Sequence, residues 1–257
     1  MYGVFPFGQP VVTVNQVDRE PRPVFVLGVY GSAVHARWLG PQGEERVKAL
    51  AVAAEPEPFW RGEGAGEIVA RITAPAAAGQ LVAAESRFNG ASGRSLDELI
   101  LAPLGLRRSL IWCCDLAPHY CANPRQLAAI DREYAPVAAA LGLPAAMLPP
   151  IPATFADNQR AQAIAAELAE STAATLILLG DDPVRHFLHH FDRRFSRLGD
   201  FGRTAERYGR LQRVTIAGRR VHVLPLAHPR QIARLGESAG PWHDLHQAWL
   251  ATADRVL

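Results

Sequence analysis

A histidine ends an apolar run in the stretch VHVLPLAHPRQIARLG, residues 221–236. The β-branched run before His228 is typical of a buried strand, and Pro229 fixes the backbone directly after it. Reacting groups and ligands of α/β proteins lie at strand ends. His228 is therefore a candidate catalytic residue, and the alternative is a structural histidine at a strand end.

A carboxyl group occupies a similar place in SLIWCCDL, residues 109–116, where Asp115 nearly ends another apolar run. An ionised carboxylate offers hydrogen-bond acceptors only, whereas burial in a dry pocket raises the pKa of a carboxyl and favours its protonated form. Asp115 is thus a candidate for base recognition or for general base catalysis. A capping or strand-end aspartate is the alternative.

The elements that position these residues are short apolar runs bounded by helix breakers, which predict strands buried on both faces. RVTI, residues 213–216, adds a hairpin partner to the last of these strands. Helical patterns alternate with the runs, so the sequence predicts one α/β domain over residues 1–257, a three-layer α/β/α fold with a central, mostly parallel four-stranded sheet. The four predicted strands are Pro23–Gly28, Ser109–Leu116, Ala174–Gly180 and Arg220–Leu226.

Two helix starts have local capping signals. Ser95 and Glu98 have the spacing of a capping box, and Asn123 followed by Pro124 predicts a capped helix with proline in its first position.

Composition limits the possible classes of protein. The 257 residues are 49% hydrophobic and 20% charged, which is ordinary for a globular enzyme and unlike a disordered chain. No apolar run approaches the roughly 20 residues that span a bilayer. The first residues, MYGVFPFGQP, lack the pattern of a secretory signal, so we expect a cytoplasmic protein.

The cysteines and arginines carry weaker signals. Cys113, Cys114 and Cys121 are too few for a disulfide framework or a four-ligand zinc or iron–sulfur site. Lys48 is the only lysine, so almost every cation is an arginine, a side chain that suits phosphate binding. The arginine-rich segment 185–220 is interleaved with aromatic residues and predicts either a nucleic-acid face or a solvated helix and loop.

Five segments, in this order, resemble the uracil-DNA glycosylase superfamily over residues 24–235. VFVLGVYGSAVHARW is similar to the family's first strand and glycine-rich base-binding turn, and RFNGASGRSLDELI to the segment whose aromatic residue stacks on the expelled base. SLIWCCDLAPHYCANPRQLAAI resembles the strand that ends in a base-reading residue. ATLILLGDDPVRHFL and VHVLPLAHPRQIARLG resemble the last two strand units, the second with its His-Pro motif and DNA-penetrating loop.

The resemblance implies a monomeric DNA glycosylase of base excision repair, which hydrolyses the N-glycosidic bond of uracil or another modified or deaminated base flipped out of DNA. It implies no metal and no organic cofactor, and the count of three cysteines argues against the iron–sulfur cluster that some similar branches carry. His228 and Asp115 would be catalytic, with His228 stabilising the charge on the departing base. Arg230 and Arg234 would contact phosphates, and Gln231 and Ile232 would fill the vacated stack. The base would be bound by Gly28, Val29, Tyr30, Gly31, Ser32, His35, Phe88 and Asp115.

Two departures from the family pattern leave the water-activating residue open. The first motif has Val29 and Tyr30 where many members have an acidic or amide residue, and His35, Asp115 or Glu85 is a possible substitute. Asp115 itself stands where an asparagine commonly reads uracil. A family member that binds nucleic acid or a nucleotide without hydrolysis is therefore the second hypothesis. An unrelated α/β nucleotide-binding protein is the third, although GVYGS and GDDP lack the Gly-Lys-Ser signature of a phosphate loop.

Overall fold

The computed structural model describes residues 1–234 and 241–256. Leu235 and Gly236, the last residues of the His-Pro segment, lie outside the described residues. No helix in the described part is long and apolar enough to cross a membrane.

The strands are numbered in chain order. They are β1 (Gly3–Val4), β2 (Pro10–Val11), β3 (Val24–Gly31), β4 (Ala33–Leu39), β5 (Glu45–Ala54), β6 (Gln80–Ala83), β7 (Ile111–Tyr120), β8 (Thr175–Leu179), β9 (Gln212–Ile216) and β10 (Arg219–Leu226).

The helices are numbered in the same way. They are α1 (Ala65–Ala70), α2 (Ala91–Leu96), α3 (Pro124–Ala129), α4 (Ala135–Leu141), α5 (Asn158–Glu170), α6 (Asp181–Pro183), α7 (His189–Phe191), α8 (Pro229–Ile232) and α9 (Trp242–Leu250). π-Helical turns continue α2, α3 and α6 at Asp97–Leu101, Ile130–Tyr134 and Val184–Leu188. Single 3-10 turns occupy Pro6–Gly8, Ala76–Ala78, Arg108–Leu110, Leu198–Phe201 and Ala253–Arg255.

The chain forms two compact units, each built from three separate segments. Unit 1 comprises Met1–Val14, Tyr30–Ala91 and Pro118–Ala153, and unit 2 comprises Asn15–Val29, Ser92–Ala117 and Thr154–Leu257. Each unit has its own hydrophobic core. The expectation of one domain over residues 1–257 stays a prediction.

Unit 2 contains a mixed, mostly parallel sheet with the strand order β7-β3-β8-β10-β9. β8 pairs in parallel with both β3 and β10, whereas β9 pairs antiparallel with β10 at the edge. The α/β class is confirmed. The expected number of four strands is wrong, because the hairpin that RVTI forms with the last strand adds β9 as a fifth.

The core of unit 2 explains why these runs form internal strands. Leu176 and Leu178 of β8 are fully buried and pack in one cluster with Ile164 and Leu168 of α5. The neighbouring residues Ile177 and Leu179 are fully buried as well, so the strand is covered on both faces.

Unit 1 contains an antiparallel sheet with the order β5-β4-β6, which the sequence analysis did not predict. Its pairing includes register shifts near His35 and Trp38, which interrupt the alternation of apolar and polar residues that marks a strand. Trp38 and Tyr134 are fully buried and lie in the core that covers this sheet.

The two helix starts with capping signals differ. Asn123 caps α3, accepting a hydrogen bond from the Gln126 backbone N–H while the Gln126 side chain accepts from the Asn123 N–H. The prediction at Ser95 is wrong, because α2 begins four residues earlier and Ser95 is a buried residue inside it.

Candidate active site

His228 lies two residues after the end of β10 and is the N-cap of α8. Its backbone N–H donates to Oε1 of Gln231 at 3.2 Å, and its ring Nδ1 accepts from the backbone N–H of Arg230 at 3.2 Å. Pro229 follows as the first helical residue, where its missing N–H costs no hydrogen bond. The HPRQ segment is therefore a capped helix start that holds the imidazole at the end of the sheet.

This capping bond determines the tautomer of His228. A backbone N–H can only donate, so Nδ1 must be unprotonated, and the neutral ring carries its proton on Nε2. Burial, together with the positive charge of Arg230, lowers the pKa of His228 to about 4. The residue is partly exposed, and the ring Nε2–H has no hydrogen-bond partner among the described residues. At neutral pH the side chain is an uncharged donor available to a ligand.

Gly180, at the end of the neighbouring strand β8, packs closely against His228. Gly180 directly follows β8 and donates its N–H to the carbonyl of Leu226 at 2.8 Å. A Cβ on Gly180 would lie 3.3 Å from Cβ of His228, and the φ of Gly180 is +95°. A side chain at position 180 is thus disfavoured both by the backbone conformation and by the packing against the histidine.

Asp115 lies on β7 and is 4% exposed. Its neighbours Cys114 and Leu116 pack in the core against α5, so strand alternation places the Asp115 side chain on the opposite face. Arg160 of α5 donates to the main-chain carbonyls of Asp115 and Leu116 at 2.6 and 2.8 Å. No hydrogen bond to the Asp115 carboxyl group occurs within residues 1–234 and 241–256.

Burial raises the pKa of Asp115 to about 7, and the negative charge of Glu167 adds to this shift while Arg160 opposes it. The carboxyl is therefore distributed between its two protonation states near neutral pH. A buried titratable group with such a pKa is a common property of catalytic acids and bases.

The strand order determines how far apart the two candidates lie. β3 and β8 separate β7 from β10, so the strand that carries Asp115 and the strand that leads to His228 lie about 14 Å apart across the sheet at ordinary strand spacing. The two side chains do not contact each other. A molecule that contacts both must extend across two strands, as a nucleoside does better than a free pyrimidine.

The predicted glycine-rich turn is not a turn. Gly28 to Gly31 lie within β3, and the chain enters β4 at Ala33. A Cβ on Gly31 would lie 3.3 Å from the carbonyl carbon of His119, so this glycine allows close packing of two backbone segments. Ser32, the one residue between the strands, donates its N–H to Oε1 of the buried Glu55 at 2.7 Å. Val29 belongs to unit 2, whereas Tyr30, Gly31 and Ser32 belong to unit 1.

Phe88 and His35 both belong to unit 1, where Asn89 links their segments. Phe88 is a partly exposed turn residue, with the Arg87 guanidinium 4.9 Å from its ring centre. Asn89 accepts from the N–H of His35 at 2.8 Å and donates to its carbonyl at 3.0 Å. Glu85, a possible substitute acid, is exposed and paired with Lys48 and Arg87.

The predicted DNA-contacting residues have different environments. Arg230 is exposed, and Arg234 is exposed with a 3.3 Å ion pair to Asp244. Gln231 is partly buried and caps the backbone of His228. Ile232 is 0% exposed, so the expectation that it fills a vacated base stack is wrong for this conformation, in which it is a core residue.

Acidic residues neutralise part of the arginine-rich segment. Arg194 pairs with Asp192 at 2.7 Å and Arg197 with Asp200 at 3.1 Å. Arg213 is exposed on β9 and has no ion-pair partner among the described residues. The part of this segment that suits a polyanion is therefore smaller than the sequence indicates.

Two cavities lie in unit 1. One, of about 310 Å³, is lined by Gln9, Pro10, Val12–Val14 and Ala53–Pro56, and the other, of about 200 Å³, lies between β5 and α3. Neither is lined by a predicted site residue. In the described part of the chain, no group of three or more His, Cys, Asp or Glu side chains is arranged to hold a metal ion.

Sequence reasoning missed two buried residues that are bonded to the segment before His228. Tyr208 and His246 form a hydrogen-bonded pair that reaches the backbone at Ala227. Neither residue belongs to a local motif, and their separation of 38 positions leaves no short-range pattern.

No model of a known protein family matches the chain, and a search of curated proteins found no significant match.

Proposed function

We propose that the chain is a DNA glycosylase that hydrolyses the N-glycosidic bond of uracil or another modified or deaminated base. The observation that carries this proposal is the His228 ring. It is neutral, its tautomer is set by the Arg230 N–H, and its Nε2–H is available at the carboxyl end of a parallel sheet. Ligands of open α/β sheets bind at that end.

The chemistry needs a donor of this kind. When the bond between C1′ and the base nitrogen breaks, its electron pair goes to the base and negative charge develops on the base oxygen. A preorganised donor aimed at that oxygen is worth about 2.7–4 kcal/mol in comparable oxyanion sites. A neutral imidazole with a low pKa can donate a hydrogen bond there without first losing a proton to solvent.

Asp115 is the proposed second group. Water attacks C1′ and must lose a proton, and the ionised form of a carboxyl with a pKa of about 7 can accept it. The protonated form can instead donate to a base oxygen. Because both forms are populated near neutral pH, the direction of the pH–rate profile distinguishes these two roles.

Exposed arginines supply the sequence-independent part of DNA binding. Arg230 and Arg234 lie beside the proposed site, and Arg213 and Arg220 are exposed on the β9–β10 hairpin. We expect salt-sensitive binding of duplex or single-stranded DNA. The proposal also includes a three-layer α/β/α arrangement, action as a monomer in the cytoplasm, and no metal or organic cofactor.

A panel of oligonucleotides tests the proposal. Each contains uracil, hydroxymethyluracil, hypoxanthine, xanthine or mismatched thymine, and treatment that cleaves abasic sites reveals excision. We expect product from at least one of them, lost in His228→Ala and retained in His222→Ala. His222 is a matched control because it is an exposed histidine on β10, the strand that leads to His228. Absence of both product and salt-dependent binding would contradict the nucleic-acid function.

One observation favours a second function, the binding of nucleic acid without hydrolysis. Val29 and Tyr30 lie in β3 where many glycosylases carry the residue that positions water, and no carboxylate replaces them in that strand. Salt-dependent binding of every oligonucleotide without product from any would support this binding protein over the enzyme.

A further inference from the structure

A chain of three hydrogen bonds connects the backbone beside His228 to helix α9. The N–H of Ala227 donates to the hydroxyl of Tyr208 at 2.9 Å, the hydroxyl lies 2.9 Å from Nδ1 of His246, and Nε2 of His246 lies 2.7 Å from the carbonyl of Leu99. Tyr208 is 2% exposed and His246 0% exposed. Water therefore does not replace any partner in this chain.

The directions of these bonds are fixed by the two backbone groups at its ends. The Ala227 N–H can only donate and the Leu99 carbonyl can only accept, so His246 carries its proton on Nε2. The Tyr208 hydroxyl then accepts from Ala227 and donates to Nδ1 of His246. All polar groups of the chain are satisfied in this one arrangement, which requires an uncharged His246.

The Tyr208 hydroxyl binds the backbone N–H that directly follows the paired part of β10. Directly after β8, the N–H of Gly180 donates to the carbonyl of Leu226 at the end of β10, and the next residue, Ala227, donates to Tyr208. His228 follows Ala227 directly. The phenol therefore binds the N–H of the Leu226–Ala227 peptide, one peptide before the residue that carries the imidazole.

We infer that Tyr208 and His246 are positioning residues for His228, holding its backbone so that Nε2–H faces the ligand at the end of the sheet. The inference rests on the proposed function, because it assumes that the His228 ring is the reacting group. The pair lies within the core and acts through His228 only. The competing interpretation is that the pair stabilises unit 2 and has no effect on the ring.

The chain offers a matched control in unit 1. Tyr134 is also fully buried, its hydroxyl accepts from the Phe7 N–H at 2.8 Å, and it donates to the carbonyl of Pro144 at 2.8 Å. Tyr208→Phe and Tyr134→Phe each remove one hydroxyl that joins a backbone donor to an acceptor. A purely structural role predicts similar consequences for both.

The first measurement is steady-state excision of the oligonucleotide that the wild-type protein cleaves best. We expect Tyr208→Phe to lower kcat about tenfold or more with KM changed less than about twofold, because small displacements of a reacting group cost rate rather than binding. Tyr134→Phe is expected to retain kcat within about twofold. Equal effects of the two changes would overturn the inference.

A double variant tests whether Tyr208 acts through His228. If it does, Tyr208→Phe adds no further loss of rate to His228→Ala. Multiplied losses in the double variant would show an independent role and overturn the inference.

A spectroscopic measurement separates failure of this inference from failure of the proposed function. Nitrogen–proton correlation spectra of the imidazoles report the tautomer of His228 without any substrate. We expect its Nε2–H signals to shift or broaden in Tyr208→Phe and to stay unchanged in Tyr134→Phe. This result, obtained even if no base is excised, would support the positioning and reject the glycosylase; unchanged signals in both variants would reject the positioning.

A second variant, His246→Phe, tests the inference independently in case Tyr208→Phe does not fold. His246→Phe keeps a ring in the buried site and removes the acceptor of the Tyr208 hydroxyl, and we expect the same fall in kcat and the same change in the His228 signals. Unfolding of both Tyr208→Phe and His246→Phe, with Tyr134→Phe folded, would assign the pair to stability and overturn the inference.

Discussion

His228 and His246 have similarly lowered pKa values but differ in how many of their ring nitrogens form hydrogen bonds. Burial lowers the pKa of each to about 4. Both ring nitrogens of His246 have partners, whereas Nε2 of His228 has none among the described residues. The comparison teaches that a lowered pKa does not by itself identify a functional histidine. The proposed role of His228 therefore rests on the lowered pKa together with a ring N–H that has no partner among the described residues at the end of the sheet.

The largest effect that we expect from this comparison is on catalysis. His228→Ala should lower the rate of excision by about 100-fold or more, the size of the loss when one oxyanion donor is removed. Single-turnover kinetics on the preferred oligonucleotide measures it, with circular dichroism to confirm the fold and His222→Ala as the control. An unchanged rate would refute the role of the unused donor.

For the free energy of unfolding, we expect a larger loss from His246→Ala than from His228→Ala. His246→Ala removes a buried ring and leaves the Tyr208 hydroxyl and the Leu99 carbonyl without partners, so we expect a loss of about 2–4 kcal/mol in the free energy of unfolding. His228→Ala removes a helix cap and should cost about 0.5–2 kcal/mol. Denaturant unfolding measures both values. A larger loss from His228→Ala would mean that the contrast between the two histidines is misassigned.

Asp115 extends the comparison to base recognition. Asp115→Asn offers an amide donor and acceptor where the wild type has a titrating carboxyl, and we expect its preference to move about tenfold toward uracil. The inflection of the pH–rate profile near pH 7 should disappear in the same variant. Competition between uracil and the other bases of the panel measures the preference, and an unaltered ratio would remove Asp115 from the site.

A further expected effect is on the pH dependence of stability. Unfolding raises the lowered pKa values of the two histidines, so stability falls as the pH drops from about 6.5 toward about 4. Asp115 acts in the opposite sense, because its folded pKa of about 7 exceeds the value of 3.8 expected for a free side chain, and its contribution is lost as the pH rises between them. Thermal unfolding should therefore show that Asp115→Asn gains Tm relative to wild type as the pH rises from about 4 to about 7. A constant difference in Tm would contradict the raised pKa.

The sequence predicts the parts of this molecule that have local signals. The continuous apolar runs identified β3, β7, β8 and β10, and the Asn123–Pro124 pair identified the start of α3. His228 could be identified as a candidate residue at a strand end because a strand pattern, a histidine and a proline are adjacent in the chain.

The parts that were missed depend on contacts between distant residues. The bond from Ala227 to Tyr208 joins positions 19 apart, and that from His246 to Leu99 joins positions 147 apart. No propensity or spacing rule contains such pairs. The glycines at 28 and 31 were misleading because both lie inside β3, and a glycine inside a strand has the same sequence signal as a glycine in a turn. Gly31 is needed there for close packing against His119.

The division of the chain into interleaved segments has a consequence for biosynthesis. All residues of unit 1 have been translated once Ala153 is added, whereas Tyr208, His228 and α9 come later. Domains tend to fold as they emerge from the ribosome. A nascent chain can therefore form the core of unit 1 before Tyr208, His228 and α9 are synthesised, and a premature stop between His228 and α9 would release a protein that has His228 but lacks His246.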